Sequence, residues 1–87
     1  MSDPVFSVYI VRCADGTLYT GYAKDAAERV RVHNDGKGAK YTRSRLPVTL
    51  AHVEHYDSLG AALKRERELK TWSRAKKTAL IAGKLGL

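Results

Sequence analysis

Apolar and polar positions along the chain switch between two periods, and each switch marks an element. Residues 5–12, VFSVYIVR, are β-branched and aromatic with few polar breaks, which predicts a strand covered on both faces. Asp15-Gly16 separates this run from TLYTGY at 17–22, a strong hairpin signal. Loop length decides which side chains meet. A two-residue loop would pair Ala14 with Thr17, set Tyr9 opposite Tyr22 and turn Tyr19 to the other face. A three-residue loop with Gly16 in the left-handed conformation pairs Cys13 with Thr17 instead. Tyr9, Val11, Tyr19 and Gly21 then share one face, because cross-strand partners point the same way. The three-residue loop is the expected one. Gly21, near the end of the second strand, predicts a bulge or the close approach of another backbone.

The period then becomes helical. Asp25 caps a helix over 26–35, with Glu28 placed to complete a capping box. Ala26, Val30 and His33 fall on one side of it, Arg29 at the edge of that stripe, and Gly36 and Gly38 end it. Residues 36–47, GKGAKYTRSRLP, read as a basic loop without an acid. VTLAHVEHY at 48–56 predicts a third strand. Plain alternation puts Val48, Leu50, His52, Glu54 and Tyr56 on one side, with Thr49, Ala51, Val53 and His55 on the other. Ser58 caps a helix over 59–72 and Ser73 another over 74–85. The order ββαβαα describes an α+β fold, a small three-stranded mixed or antiparallel sheet flanked by helices.

With 87 residues and 44% apolar content, one domain spanning 1–87 with its core at about 6–80 is expected. No apolar run is long enough to cross a bilayer and no leader pattern opens the sequence, so no membrane role is assigned. Cys13 has no internal partner, and a cytoplasmic location is the default. Charge changes the picture more. The net charge is +7, and residues 58–87 alone carry +6. Such segregation suits a phosphate-binding face better than a merely solvated one. Tyr41, set among Lys37, Lys40, Arg43 and Arg45, adds a flat ring to the cations. Lys70, Arg74, Lys76 and Lys77 supply a second basic group on the last two helices.

One carboxylate is out of place. Leu59, Ala62, Leu63, Leu69 and Trp72 form the apolar stripe of the second helix. Glu66, three residues from both Leu63 and Leu69, points inward with them, whereas Glu68 points away beside Lys64 and Arg65. An inward carboxylate must be paired, hydrogen-bonded or bound to a cation. The bland reading is a salt bridge to Arg29 or a hydrogen bond from a tyrosine. The chemical reading is a magnesium ion, which takes one carboxylate and keeps much of its water. His52 and His55 make no defensible zinc spacing with Cys13 and read as sheet residues, and Trp72 reads as core.

SVY at 7–9, YTG at 19–21, Arg29 and Glu66, in that order and spacing, resemble the GIY-YIG endonuclease superfamily. The stretches DGTLYTGYAKD, ERVRVHNDGKGAKYTR and ALKRERELKTWSRAKK resemble its small single-domain bacterial branch. The likeness covers about residues 6–80. Ser7 and Val8 replace the first two letters of the first motif and Thr20 the middle of the second. The further asparagine of excision-repair members has no counterpart, since residues 67–82 contain no Asn. The resemblance implies metal-dependent hydrolysis of a phosphodiester. Glu66 would bind Mg²⁺ or Mn²⁺, and Arg29 would neutralise charge gained in the transition state. Tyr9 or Tyr19 would orient or deprotonate the attacking water, with Tyr9 preferred. His33 is a candidate proton relay or phosphate contact.

The expected function is therefore an endonuclease on DNA, selective for branched or single-stranded structure rather than sequence, with RNA not excluded. Selectivity could also come from a protein partner or a transient dimer. The rival readings are a nucleic-acid-binding module of the same fold that does not cut, and a small assembly protein with a basic face.

Overall fold

The computed structural model describes residues 5–84. Strands β1 (Phe6–Arg12) and β2 (Leu18–Ala23) lead into helix α1 (Ala26–Asn34) and a short helix α2 (Lys40–Arg43). Strand β3 (Thr49–Tyr56) and helices α3 (Leu59–Lys70) and α4 (Arg74–Ile81) complete the chain. The sheet is antiparallel throughout in the order β2-β1-β3, which resolves the choice between mixed and antiparallel. The helix expected over 74–85 stops at Ile81, and Leu85 lies outside the described residues.

Both faces of β1 are covered. On one face Tyr9, Val11, Cys13, Ala26 and Val48 form a core that Val30 of α1 joins. On the other, Val8 and Ile10 pack with Ala62 and Leu69 of α3 and Leu80 of α4. A central strand buried on two sides needs apolar side chains of both parities, which is why its sequence does not alternate. The hairpin has the three-residue loop. Cys13 N donates to Thr17 O at 2.8 Å, Gly16 has φ +85°, and Tyr9 faces Gly21 while Val11 faces Tyr19.

Asp25 caps α1 by accepting from the Glu28 amide at 3.0 Å. The Glu28 side chain pairs with Arg31 instead of returning to the cap, so half of the expected box forms. At the other end Gly36, at φ +76°, ends α1. Its amide donates to His33 O and that of Lys37 to Val32 O, a Schellman closure. Two expectations change. The basic loop contains α2, whose Thr42 is fully buried. Strand β3 does not alternate plainly either: His52 faces Ile10 but Leu50 faces Val11. Ala51 is the extra residue of a bulge, and it moves Val48 and Leu50 to the face of Val53 and His55.

Candidate active site

A cleft of about 540 Å³ opens where Tyr9, Tyr19, Arg29, His33 and Glu66 come together. Tyr9 and Tyr19 stand on the α1 face of the sheet, with Arg29 and His33 on α1 itself. Glu66 arrives from α3, whose Ala62 and Leu69 pack on the opposite face. The site is therefore built from both sides of the sheet around the free edge of β2.

Two glycines make room for it. A Cβ on Gly21 would lie 2.5 Å from Tyr9 Oη and 2.7 Å from its Cζ. The close approach expected at Gly21 is thus that of a tyrosine ring rather than a backbone, and the β1–β2 register runs through it without a bulge. A Cβ on Gly38 would collide with the His33 imidazole. His33 is the hub. Its ring meets Tyr9 edge-on at a centroid distance of 5.9 Å and Tyr19 at 5.6 Å.

Hydrogen bonds fix the state of that ring. Thr42 Oγ1 donates to Ala39 O at 2.9 Å, so its oxygen is left to accept from His33 Nδ1–H, also at 2.9 Å. The Ala39 amide approaches Nδ1 at 3.4 Å, too long to compete. Nε2 then carries the lone pair, and Tyr9 Oη donates to it at 2.9 Å. Burial first, then the nearby Arg29 cation, lowers the His33 pKa below its usual 6.5. The imidazole is therefore neutral at pH 7, an acceptor facing a phenol. Burial, with Tyr19 and Glu66 adding to it and Arg29 opposing, raises the Tyr9 pKa above 10.

Arg29 is exposed and enters none of the ion pairs among the described residues. Glu66 is 13% exposed, and its Oε2 lies 3.3 Å from Lys70 Nζ one turn later. Neither partner foreseen for the carboxylate, Arg29 or a tyrosine, is the one it has.

The basic residues divide. Lys37 lines the cleft together with Lys24, which sequence reading missed because a lone lysine after a strand carries no signal. Lys40, Tyr41 and Arg43 are exposed on α2. Tyr41 stacks on Tyr19 with ring centroids 5.7 Å apart, which ties the basic loop to the site. Arg45 is committed elsewhere: it lies 4.0 Å over the Tyr41 ring and bonds Asp15 at 3.0 Å. It staples the loop to the β1–β2 hairpin rather than waiting for phosphate. Lys70, paired with Glu66, also lies 6.0 Å over Tyr19. Arg74 donates to Gly16 O, and Lys76 sits 4.1 Å over the half-buried Trp72, which packs against the core as expected.

A second carboxylate escaped sequence reading. Glu54 accepts from both Arg65 Nε, at 2.8 Å, and Arg65 Nη2, at 3.0 Å, as well as from Tyr56 Oη at 2.6 Å. Burial would raise its pKa, but the bonds from Arg65, Tyr56 and His52 outweigh burial and hold it at about 2. That network lies on the α3 face, away from the cleft, and is structural.

Residues 5–79 match the family described as the GIY-YIG catalytic domain. The chain belongs to the GIY-YIG family. It is 57% identical over 75 residues to a UPF0213 protein of Staphylococcus saprophyticus, covering 86% of this chain and 92% of that protein. It is 54% identical over 79 residues to one from Natronomonas pharaonis, covering 91% and 93%. Among solved structures, the UPF0213 protein BH0048 of Bacillus halodurans is 44% identical with a TM-score of 0.60, over 94% of this chain and 87% of that one. The E. faecalis protein EF2693 is 32% identical with a TM-score of 0.61, over 100% and 95%. The α+β fold is that of the GIY-YIG domain, and Tyr9, Tyr19 and Gly21 are the letters that its two motifs keep here.

No cluster of three metal-ligating side chains occurs among the described residues, so any cation here would rest on Glu66, water and substrate. That donor set fits magnesium, which binds through one or two carboxylates. No described helix is long and apolar enough to cross a membrane.

Proposed function

We propose that this GIY-YIG domain is a metal-dependent endonuclease that hydrolyses DNA phosphodiester bonds, selecting nucleic-acid shape rather than sequence. The carrying observation is that Tyr9, Tyr19, Arg29 and Glu66 line one cleft, with a neutral His33 hydrogen-bonded to Tyr9. Glu66 would hold Mg²⁺ or Mn²⁺, which supplies Lewis-acid polarisation of the scissile phosphate and stabilises the leaving oxygen.

The chain's own residues supply the rest. Tyr9 stays protonated at neutral pH, so it cannot act as a standing phenolate base. It passes a proton instead: the attacking water gives its proton to Tyr9 Oη as the phenolic proton moves to His33 Nε2. The resulting imidazolium remains bonded to Thr42 through Nδ1–H. Tyr19 packs against His33 and Tyr41 and holds the relay in place. Arg29, in no ion pair among the described residues, takes a non-bridging oxygen and offsets the charge gained in the pentacovalent state. With a cation on Glu66, Lys70 would be released from that carboxylate and available to phosphate.

Branched and linear DNA incubated with Mg²⁺, Mn²⁺ or EDTA tests the proposal. Metal-dependent cutting that Glu66→Gln abolishes is expected. Binding without nicking, unchanged by Glu66→Gln, would leave only a nucleic-acid holder.

A further inference from the structure

A second, smaller cavity of about 230 Å³ adjoins the cleft, lined by Thr17, Leu18, Tyr41, Trp72, Arg74 and Lys77. We propose that it seats a backbone phosphate flanking the scissile one, so that the enzyme grips its substrate at two phosphates of one nucleic-acid strand. The inference rests on the nuclease reading for its strand and on the following observations for its site.

The lining contains two cations and no acid. Lys77 is half-buried and enters no ion pair among the described residues. Burial first and the neighbouring Lys70 second lower its pKa, as expected for a half-buried cation beside another. Arg74 has one guanidinium nitrogen on Gly16 O and others left to donate. The cavity is also joined to the active site. Tyr41 forms one of its walls and stacks on Tyr19. Lys70, which shifts the titration of Lys77, reaches Glu66 at 3.3 Å and overlies Tyr19 at 6.0 Å. Cations therefore run from Arg29 past Lys70 to Lys77 and Arg74 around the edge of β2. A strand laid on that path meets positive charge at successive phosphates, with Tyr41 and Trp72 lining the same cavity.

Trp72 is the single tryptophan of the chain, so its emission reports on this cavity. The full chain is titrated in EDTA with a single-stranded thymidine octamer, at several salt concentrations, with inorganic phosphate as a parallel probe. Saturable change of Trp72 emission is expected with the octamer. Lys77→Gln and Arg74→Gln should each weaken binding about tenfold and flatten the salt dependence by about one phosphate contact. Lys64→Gln, exposed and away from the cavity, should change it less than about twofold. Thermal melts check that each variant is folded. No octamer binding, binding seen by gel shift with unchanged Trp72 emission, or equal weakening by Lys77→Gln and Lys64→Gln would overturn the proposal. Inorganic phosphate saturating at the same concentration as the octamer would also overturn it, by showing an isolated anion site. Glu66→Gln should keep the Trp72 response while losing cleavage. A wild type that responds but never cuts removes the nuclease and leaves the strand site standing.

Discussion

Gly21 leaves no room for a side chain beneath the Tyr9 ring. Replacing it with alanine places a methyl 2.5 Å from Tyr9 Oη and 2.7 Å from Cζ, against about 3.5 Å for an unstrained contact. Tyr9 is 2% exposed and bonded to His33, so moving its ring disrupts the contacts that hold it. The ring must shift by roughly 1 Å, enough to lengthen the Tyr9–His33 bond beyond its useful range. Overpacking of this kind costs about 1–3 kcal/mol, and for a domain of this size each kcal/mol lowers Tm by about 4–8 °C. A 1 Å misplacement of a reacting group can further cost about 10²-fold in rate. The decisive assay is a double-mutant cycle with Tyr9→Val, which removes the obstructing Oη and Cζ. Gly21→Ala should destabilise the wild type by that amount and the Tyr9→Val variant by clearly less, with only a 3.3 Å contact to Tyr19 Cε2 remaining, giving a coupling of about 1–2 kcal/mol. Gly60→Ala is the control: nothing lies within 4 Å of its added carbon, and within α3 it should stabilise by up to about 1 kcal/mol. Equal destabilisation by Gly21→Ala in both Tyr9 backgrounds would refute the packing of the phenol on that glycine, and with it the account of how the relay is held.

Cleavage should fall as pH drops below 6.5 through the lowered His33 pKa, because protonated Nε2 can no longer accept from Tyr9; a pH–rate profile flat to pH 4 would exclude His33 from the relay. The same group links to folding: the unfolded state binds the proton first, so His33 favours the fold above pH 6.5 and loses that contribution on acidification. Glu54, at about 2 when folded against 4.5 when not, should contribute about 3 kcal/mol above pH 4.5 that disappears between pH 4.5 and 2. Denaturant titrations of wild type and Glu54→Gln across that range should converge at the acid end. Arg29→Ala should keep DNA binding within about tenfold while removing most cleavage, since transition-state contacts govern rate; a steep loss of affinity without a selective loss of rate would move Arg29 to the binding face.

Sequence alone determined those features that local rules govern. Asp15-Gly16 chose the hairpin loop, the loop chose the register, and register set Tyr9 and Tyr19 on one face. Helical spacing turned Glu66 inward and Glu68 outward, at 13% and 54% exposed. Caps at Asp25, Ser58 and Ser73 started three helices where the side chains can reach the third amide. What each charge does next depends on groups distant in the chain. Glu54 and Arg65 are 11 residues apart, Asp15 and Arg45 are 30, and Tyr9 and His33 are 24. No spacing rule relates such positions. The bulge at Ala51 is hidden for a related reason, since one extra residue reverses every later side chain while leaving the strand's composition unchanged. The tertiary structure thus decided which cations are spoken for, Arg45 and Arg65, and which face an opening, Arg29 and Lys77. It did so because pairing energy depends on distance through space, and only the folded sheet edge brings those groups within reach of one another.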